Sequence, residues 1–164
     1  MYKSNVILLG WSTIIIIIDQ VTKALVKEYM KLGESIAIIG DALRLTYIKN
    51  PGMAFGIIVG GKLFYTIFAS LACVVILIYL FRLKPEHFWA RLALSFILGG
   101  ALGNLIDRMR QSEVVDFIEI RVIRWPVFNM ADIAVTIGMV ILIAVVIFEK
   151  NRDESEEDQF ESSS

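Results

Sequence analysis

Two aspartates occupy positions where a carboxylate is costly. Residues 114–132 read V-V-D-F-I-E-I-R-V-I-R-W-P-V-F-N-M-A-D, and the stretch around Asp116 alternates in the manner of a strand. Alternation puts Asp116 on one face with Ile118, Ile120 and Val122, and Glu119 and Arg121 on the other. Asp132 closes F-N-M-A-D and opens the last long apolar run, 133–148. Two carboxylates in apolar surroundings cannot both ionise cheaply, so one keeps its proton while the other remains a base. Such a pair can take a proton from water attacking a peptide carbonyl and deliver one to the tetrahedral intermediate. No other nucleophile comes with a base, since the single His87 falls at the opposite end of the neighbouring apolar runs. Cys73, the one cysteine, lies inside such a run and reads as a small buried hydrophobe. No His or Cys cluster has ligand spacing, so neither a metal nor another cofactor is expected.

Further polar residues sit where apolar ones belong. Asp19 and Lys23 are one helical turn apart in the first apolar run and can pair. The third run ends G-G-A-L-G-N-L-I-D-R, 99–108, in which Gly99 and Gly103 form a small-xxx-small pair allowing close backbone approach. Packing does not explain Asn104, Asp107 and Arg108, which emerge at the membrane boundary of Lys23 if successive helices alternate in direction. Asn129, three residues before Asp132, is a candidate helix cap, with Pro126 just ahead of it. Ionisable residues in a span are site hypotheses by default.

The elements that must hold these groups are membrane helices. The 164 residues are 57% hydrophobic, against about 45–50% in soluble domains, and mean hydropathy is +0.68. A net charge of −1 with no basic stripe argues against nucleic acid. Crossing the hydrocarbon takes about 20 apolar residues, and four runs qualify: 6–26, 63–81, 88–106 and 127–148. The first lacks a small-residue cleavage site and reads as a retained helix. Between the first two, 35–39 and 43–47 read as strands around a Gly40-Asp41 turn, and Asn50-Pro51-Gly52 turns the chain again. The expected fold is therefore an α-helical membrane protein, one domain over 1–150, with four transmembrane helices and a small β-sheet on the membrane surface. The acidic end, 151–164, is expected to be a solvated, disordered tail. Lys and Arg counts on the two sides place the termini outside by the positive-inside rule, but many of those residues belong to patterned segments, so charge leaves orientation open.

Five segments occur in the order and spacing of one family: D-Q-V-T-K (19–23), N-P-G-M-A-F-G (50–56), G-G-A-L-G-N-L-I-D-R (99–108), V-V-D-F-I (114–118) and F-N-M-A-D (128–132). The chain resembles the lipoprotein signal peptidases, the bacterial type II signal peptidases. The resemblance implies an intramembrane aspartic endopeptidase cutting prolipoproteins before a diacylglyceryl-modified cysteine. It implies Asp116 and Asp132 as the catalytic pair. It further implies Asp19, Lys23, Asn50, Gly52, Asn104, Asp107, Arg108, Asn129 and Ala131 as residues that shape the site or meet substrate. It also implies a plasma (inner) membrane location with cytoplasmic termini, a site at the outer face, an extracytoplasmic sheet cradle and a mobile surface helix between the first two spans. Sensitivity to globomycin is expected, with membrane lipids as surroundings and a monomer sufficient for the mechanism.

Two other readings compete on the residues alone. A proton-coupled transporter also uses buried acids, but a relay needs polar residues through the membrane depth, and 63–81 and 127–148 have almost none there. A non-catalytic scaffold, with acids that only cap helices or pair with Arg108 or Arg121, leaves the apolar parity of Asp116 unexplained.

Overall fold

The computed structural model describes residues 2–52, 61–123 and 125–163, with side chains described within 7–149 of these, Lys62 excepted. Residues 53–60, in the segment where the surface helix between the first two spans is expected, lie outside the described residues. The four apolar runs fold as α1 (Tyr2–Tyr29), α2 (Gly61–Arg82), α3 (Phe88–Gln111) and α4 (Met130–Ser163). Their span-forming parts are Ile7–Tyr29, Leu63–Arg82, Phe88–Gln111 and Met130–Glu149, each long and apolar enough to cross a bilayer. The expected spans are recovered, with ends displaced by up to five residues where polar residues continue a helical turn.

Helix α3 is the centre of the bundle and packs against the other three. Of its apolar window 56% is buried by protein, against 22%, 17% and 17% for α1, α2 and α4, which turn most of their apolar surface outward to hydrocarbon. Glycines make that central position possible. A Cβ on Gly99 would lie 2.9 Å from Ile15 Cβ of α1, and one on Gly100 would lie 2.3 Å from the Ala131 carbonyl oxygen of α4. The close approach expected at Gly99 and Gly103 is present. Gly100 and Gly138, which brings α4 onto Ala93 and Ile97, extend it to the α3–α4 contact.

Three antiparallel strands, β1 (Ser35–Ile39), β2 (Leu43–Asn50) and β3 (Val114–Ile120), form the sheet in that order. The expected hairpin turns at Gly40, whose φ of 50° is a left-handed conformation that glycine adopts freely. Tyr47, Val115 and Phe117 pack beneath the sheet against Val26 and Met30 at the end of α1. Ser112, with φ 71°, closes α3 through its N–H to the Arg108 carbonyl and turns the chain directly into β3.

Two expectations need correcting. The strand ends at Ile120, and Val122 lies in the following turn, 72% exposed, so the alternation of Asp116 does not reach it. Helix α4 continues to Ser163 through the stretch expected to be disordered. That stretch contains no Gly or Pro and is rich in Glu, and extending an existing helix avoids the cost of nucleation.

Candidate active site

Strand β3 delivers Asp116 to the end of the bundle where α4 begins. The residue is 1% exposed, and both of its oxygens are occupied. Asn129 Nδ2 donates to Oδ1 at 2.7 Å, and Asn50 Nδ2 donates to Oδ2 at 2.9 Å. Asn50 closes β2, and its own Oδ1 accepts the Gly52 N–H at 2.9 Å, an Asx turn that ends the strand at the acid. Burial pushes the Asp116 carboxyl up from its ordinary 3.8 to about 6. The Asp132 charge pushes the same way, while the donated bonds from Asn50 and Asn129 oppose it.

Asp132 stands in the first turn of α4. Asn104 Nδ2 donates to its Oδ1 at 2.8 Å and the Asn129 backbone N–H to its Oδ2 at 3.1 Å. In return Asn129 Oδ1 accepts the Asp132 N–H at 3.0 Å. Asn129 is thus the cap that its position suggested, and Asp132 completes the reciprocal pair of a capping box. One asparagine serves both acids, because its Nδ2 reaches Asp116 while its main chain reaches Asp132.

A buried ionic cluster backs the pair. The Lys23 ammonium lies 2.9 Å from Asp19 Oδ2, 3.0 Å from Asp107 Oδ2 and 2.9 Å from Asn104 Oδ1, so its three donors meet three acceptors. Asp19 Oδ1 accepts the Ala131 N–H at 3.0 Å, and Asp107 Oδ2 accepts the Val115 N–H at 3.2 Å. Buried charges are tolerated when each is paired and hydrogen-bonded in this way. Arg108, on the cavity side, donates to the Gly52 carbonyl at 3.2 Å and faces Asp132, Asp116 and Asp107 with its charge.

Both acids open onto a cavity of about 490 Å³. Asn50, Asn104 and Arg108 complete its polar end, and Ile120, Trp125, Val127, Phe128 and Ile137 are among its apolar walls. A second cavity, of about 570 Å³, lies between the start of α3 and the membrane-facing part of α4. His87 and Glu149 meet at its rim, 3.5 Å apart, at the end of the bundle remote from the two aspartates. Chemistry, not size, separates the two: only the smaller holds facing carboxylates with amide donors.

A family model described as signal peptidase (SPase) II matches residues 11–148. The chain belongs to the signal peptidase II family. It is 46% identical over 143 residues to a lipoprotein signal peptidase of Brevibacillus brevis, covering 86% of this chain and 96% of that protein. A lipoprotein signal peptidase of Halothermothrix orenii is 45% identical over 130 residues, with 79% and 88% covered. A solved structure described as a bacterial membrane enzyme, determined by the in meso method at 2.3 Å resolution, superposes with a TM-score of 0.83 at 31% identity, covering 88% of this chain and 90% of that one.

Within this signal peptidase II chain the structure brings together Asp19, Lys23, Asn50, Gly52, Asn104, Asp107, Arg108, Asn129 and Ala131 around Asp116 and Asp132. Arg121 does not pair with either acid; it lies 2.9 Å from Glu119 on the outer face of the sheet. There Glu119 also accepts from Thr46, and these donors hold its carboxyl below the usual range. Gln20 escaped the sequence reading. Its Nε2 lies 3.1 Å from Asp19 Oδ2 and the Gly103 carbonyl and 3.2 Å from Asp107 Oδ1. A polar residue next to Asp19 is the signal, but helical periodicity turns neighbours about 100° apart and hides their shared target.

Proposed function

We propose that this signal peptidase II hydrolyses the peptide bond before the diacylglyceryl-modified cysteine of prolipoproteins, with Asp116 and Asp132 as its catalytic dyad. The observation that carries the reading is the pair of facing carboxylates with unequal surroundings: Asp116 sealed among amides and apolar side chains, Asp132 partly exposed at the cavity. Asp132 takes a proton from water as the water oxygen attacks the scissile carbonyl. Asp116, holding its proton below about pH 6, donates it to the developing oxyanion. Collapse of the intermediate breaks the C–N bond: the proton gained by Asp132 passes to the leaving amine, and a hydroxyl of the tetrahedral diol returns its proton to Asp116 as the new carbonyl forms. The dyad is left with one proton, as it began.

The placement of the cavity suits such a substrate. Its polar end lies between the end of α3 and the start of α4, so a signal helix can remain in the bilayer while its end meets the acids. Its apolar walls suit a lipid-bearing residue and, by the same chemistry, a globomycin-type cyclic peptide. We assign the site to the outer face of the bacterial plasma membrane and the termini to the cytoplasm.

The test is cleavage of a diacylglyceryl-modified prolipoprotein by purified protein in lipid, read by gel shift, alongside Asp116→Asn and Asp132→Asn. Cleavage by wild type alone is expected, with both variants inserted and at least about 10³-fold slower. Substantial cleavage by either inserted variant overturns the dyad.

A further inference from the structure

Three asparagine amides touch the dyad, and each is oriented by a group that can only donate. Asn50 Oδ1 takes the Gly52 N–H at 2.9 Å, and Asn129 Oδ1 takes the Asp132 N–H at 3.0 Å. Asn104 Oδ1 takes the Lys23 ammonium at 2.9 Å. Because a backbone N–H and an ammonium accept nothing, each amide must turn its NH2 toward a carboxylate. Two of the three locks are backbone and survive any change of side chain. The third is Lys23. Asn129 Nδ2 also lies 3.1 Å from Asn104 Oδ1, but it has Asp116 Oδ1 at 2.7 Å and the Val115 carbonyl at 3.3 Å to satisfy it instead.

We infer that Lys23 is a positioning residue for the dyad: it fixes the Asn104 amide so that Nδ2 faces Asp132 Oδ1 and holds Asp132 as the charged acceptor. The inference rests on the proposed hydrolysis. Without the ammonium only the longer Asn129 Nδ2 contact, at 3.1 Å, still favours the present orientation, and the amide turns over more readily, bringing Asn104 Oδ1 against Asp132 Oδ1. Two oxygens face each other comfortably only when one carries a proton, so the turned amide favours protonated Asp132, which is useless as a base. The other charged groups facing Asp132 are Asp116 from β3 and Arg108 from α3; Asp107 and Tyr65 face Arg108, and Asp19 and Asp107 pair with Lys23. Turning the amide leaves all of these in place.

Losing Lys23 also removes a positive charge, so the test must separate charge from orientation. The readout is the pH profile of kcat/KM for prolipoprotein cleavage by wild type, Lys23→Met, Asn104→Ala and the double variant. Lys23→Met is expected to move the acidic limb up by about one pH unit, a tenfold loss of ionised base below it. In the Asn104→Ala background, where no amide remains to turn, the same substitution should move the limb much less. Lys23→Met leaves Asp19 and Asp107 without their cation and risks misfolding. Lys23→Met combined with Asp107→Asn keeps the formal charge of the cluster unchanged, and the same upward shift is expected there. A rate lowered equally at every pH, complete loss of cleavage in both inserted variants, or an undiminished shift in the Asn104→Ala background overturns the inference. Wild type that cleaves no prolipoprotein overturns the functional reading, and this inference with it.

Discussion

Asn129 and Asp132 cap each other: the Asp132 N–H donates to Asn129 Oδ1 at 3.0 Å, and the Asn129 N–H donates to Asp132 Oδ2 at 3.1 Å. The helix start and the proposed catalytic constellation are therefore the same object. Asn129 also sends Nδ2 to Asp116, and a shorter cap can keep the first role while losing the second. Asn129→Ser should retain most of the stability, since Ser caps about as well as Asn, whereas Asn129→Ala should cost about 1 kcal/mol. Both should lose cleavage, because neither reaches Asp116. Thermal unfolding beside prolipoprotein cleavage checks this; Asn129→Ser with wild-type activity would show that the bond to Asp116 is dispensable.

The raised carboxyl of Asp116 makes stability depend on pH. Its folded value of about 6 lies above the ordinary 3.8, so the folded protein binds the proton more tightly. The resulting stabilisation is fully present below about pH 3.8 and is lost as pH rises through about 6, on the order of 3 kcal/mol in all. Denaturation in detergent across this window should show wild type falling relative to Asp116→Asn as pH rises. Parallel curves for the two proteins would contradict the buried, proton-holding acid.

Gly100 admits the start of α4. A methyl there meets the Ala131 carbonyl oxygen at 2.3 Å and Val135 Cγ2 at 2.8 Å, and a main-chain oxygen cannot rotate away. Gly100→Ala should cost about 1–3 kcal/mol and slow cleavage, because α4 must shift with Asp132 on it. Gly10 on α1 has nothing within 4 Å, so Gly10→Ala is the matched control and should be neutral or slightly stabilising. Equal effects at the two positions would argue against the close α3–α4 contact as their cause.

Gln20 is expected to serve stability rather than chemistry. Gln20→Leu removes a donor from among Asp19, Asp107 and the Gly103 carbonyl. Leaving part-buried acceptors short costs about 1–3 kcal/mol, or several degrees of Tm in a chain of this size. The pH profile of cleavage should keep its shape, in contrast to Lys23→Met; a displaced limb would place Gln20 in the positioning network instead.

Much of this site was legible from residue types alone. An acid on an alternating apolar strand and another at the mouth of an apolar helix are expensive placements, and both acids line the cavity. Asp19 and Lys23 were legible as a pair because helical spacing is local. What lay hidden was whatever depends on which faces of distant helices meet. Gly100 and Gly138 look like any helical glycine until α3 and α4 are packed. The double service of Asn129 needs β3 beside α4 before it can be seen. Val122 was misplaced because nothing in its alternation signals that pairing with β2 stops at Ile120.

The bond from the Ala131 N–H to Asp19 Oδ1 joins residues 112 positions apart in sequence. It satisfies one of the orphan donors of the last span with a carboxylate from the first. The first three spans on their own therefore carry Asp19 and Asp116 but neither Asp132 nor the Ala131 N–H. Asp116 would then have no partner acid, and Asp19 would still lack the N–H it is waiting for. Docking of α4 supplies the missing carboxylate and the missing donor in one event. On the proposed dyad, a bundle of the first three spans lacks one of its two carboxylates and is expected to gain activity only when α4 docks.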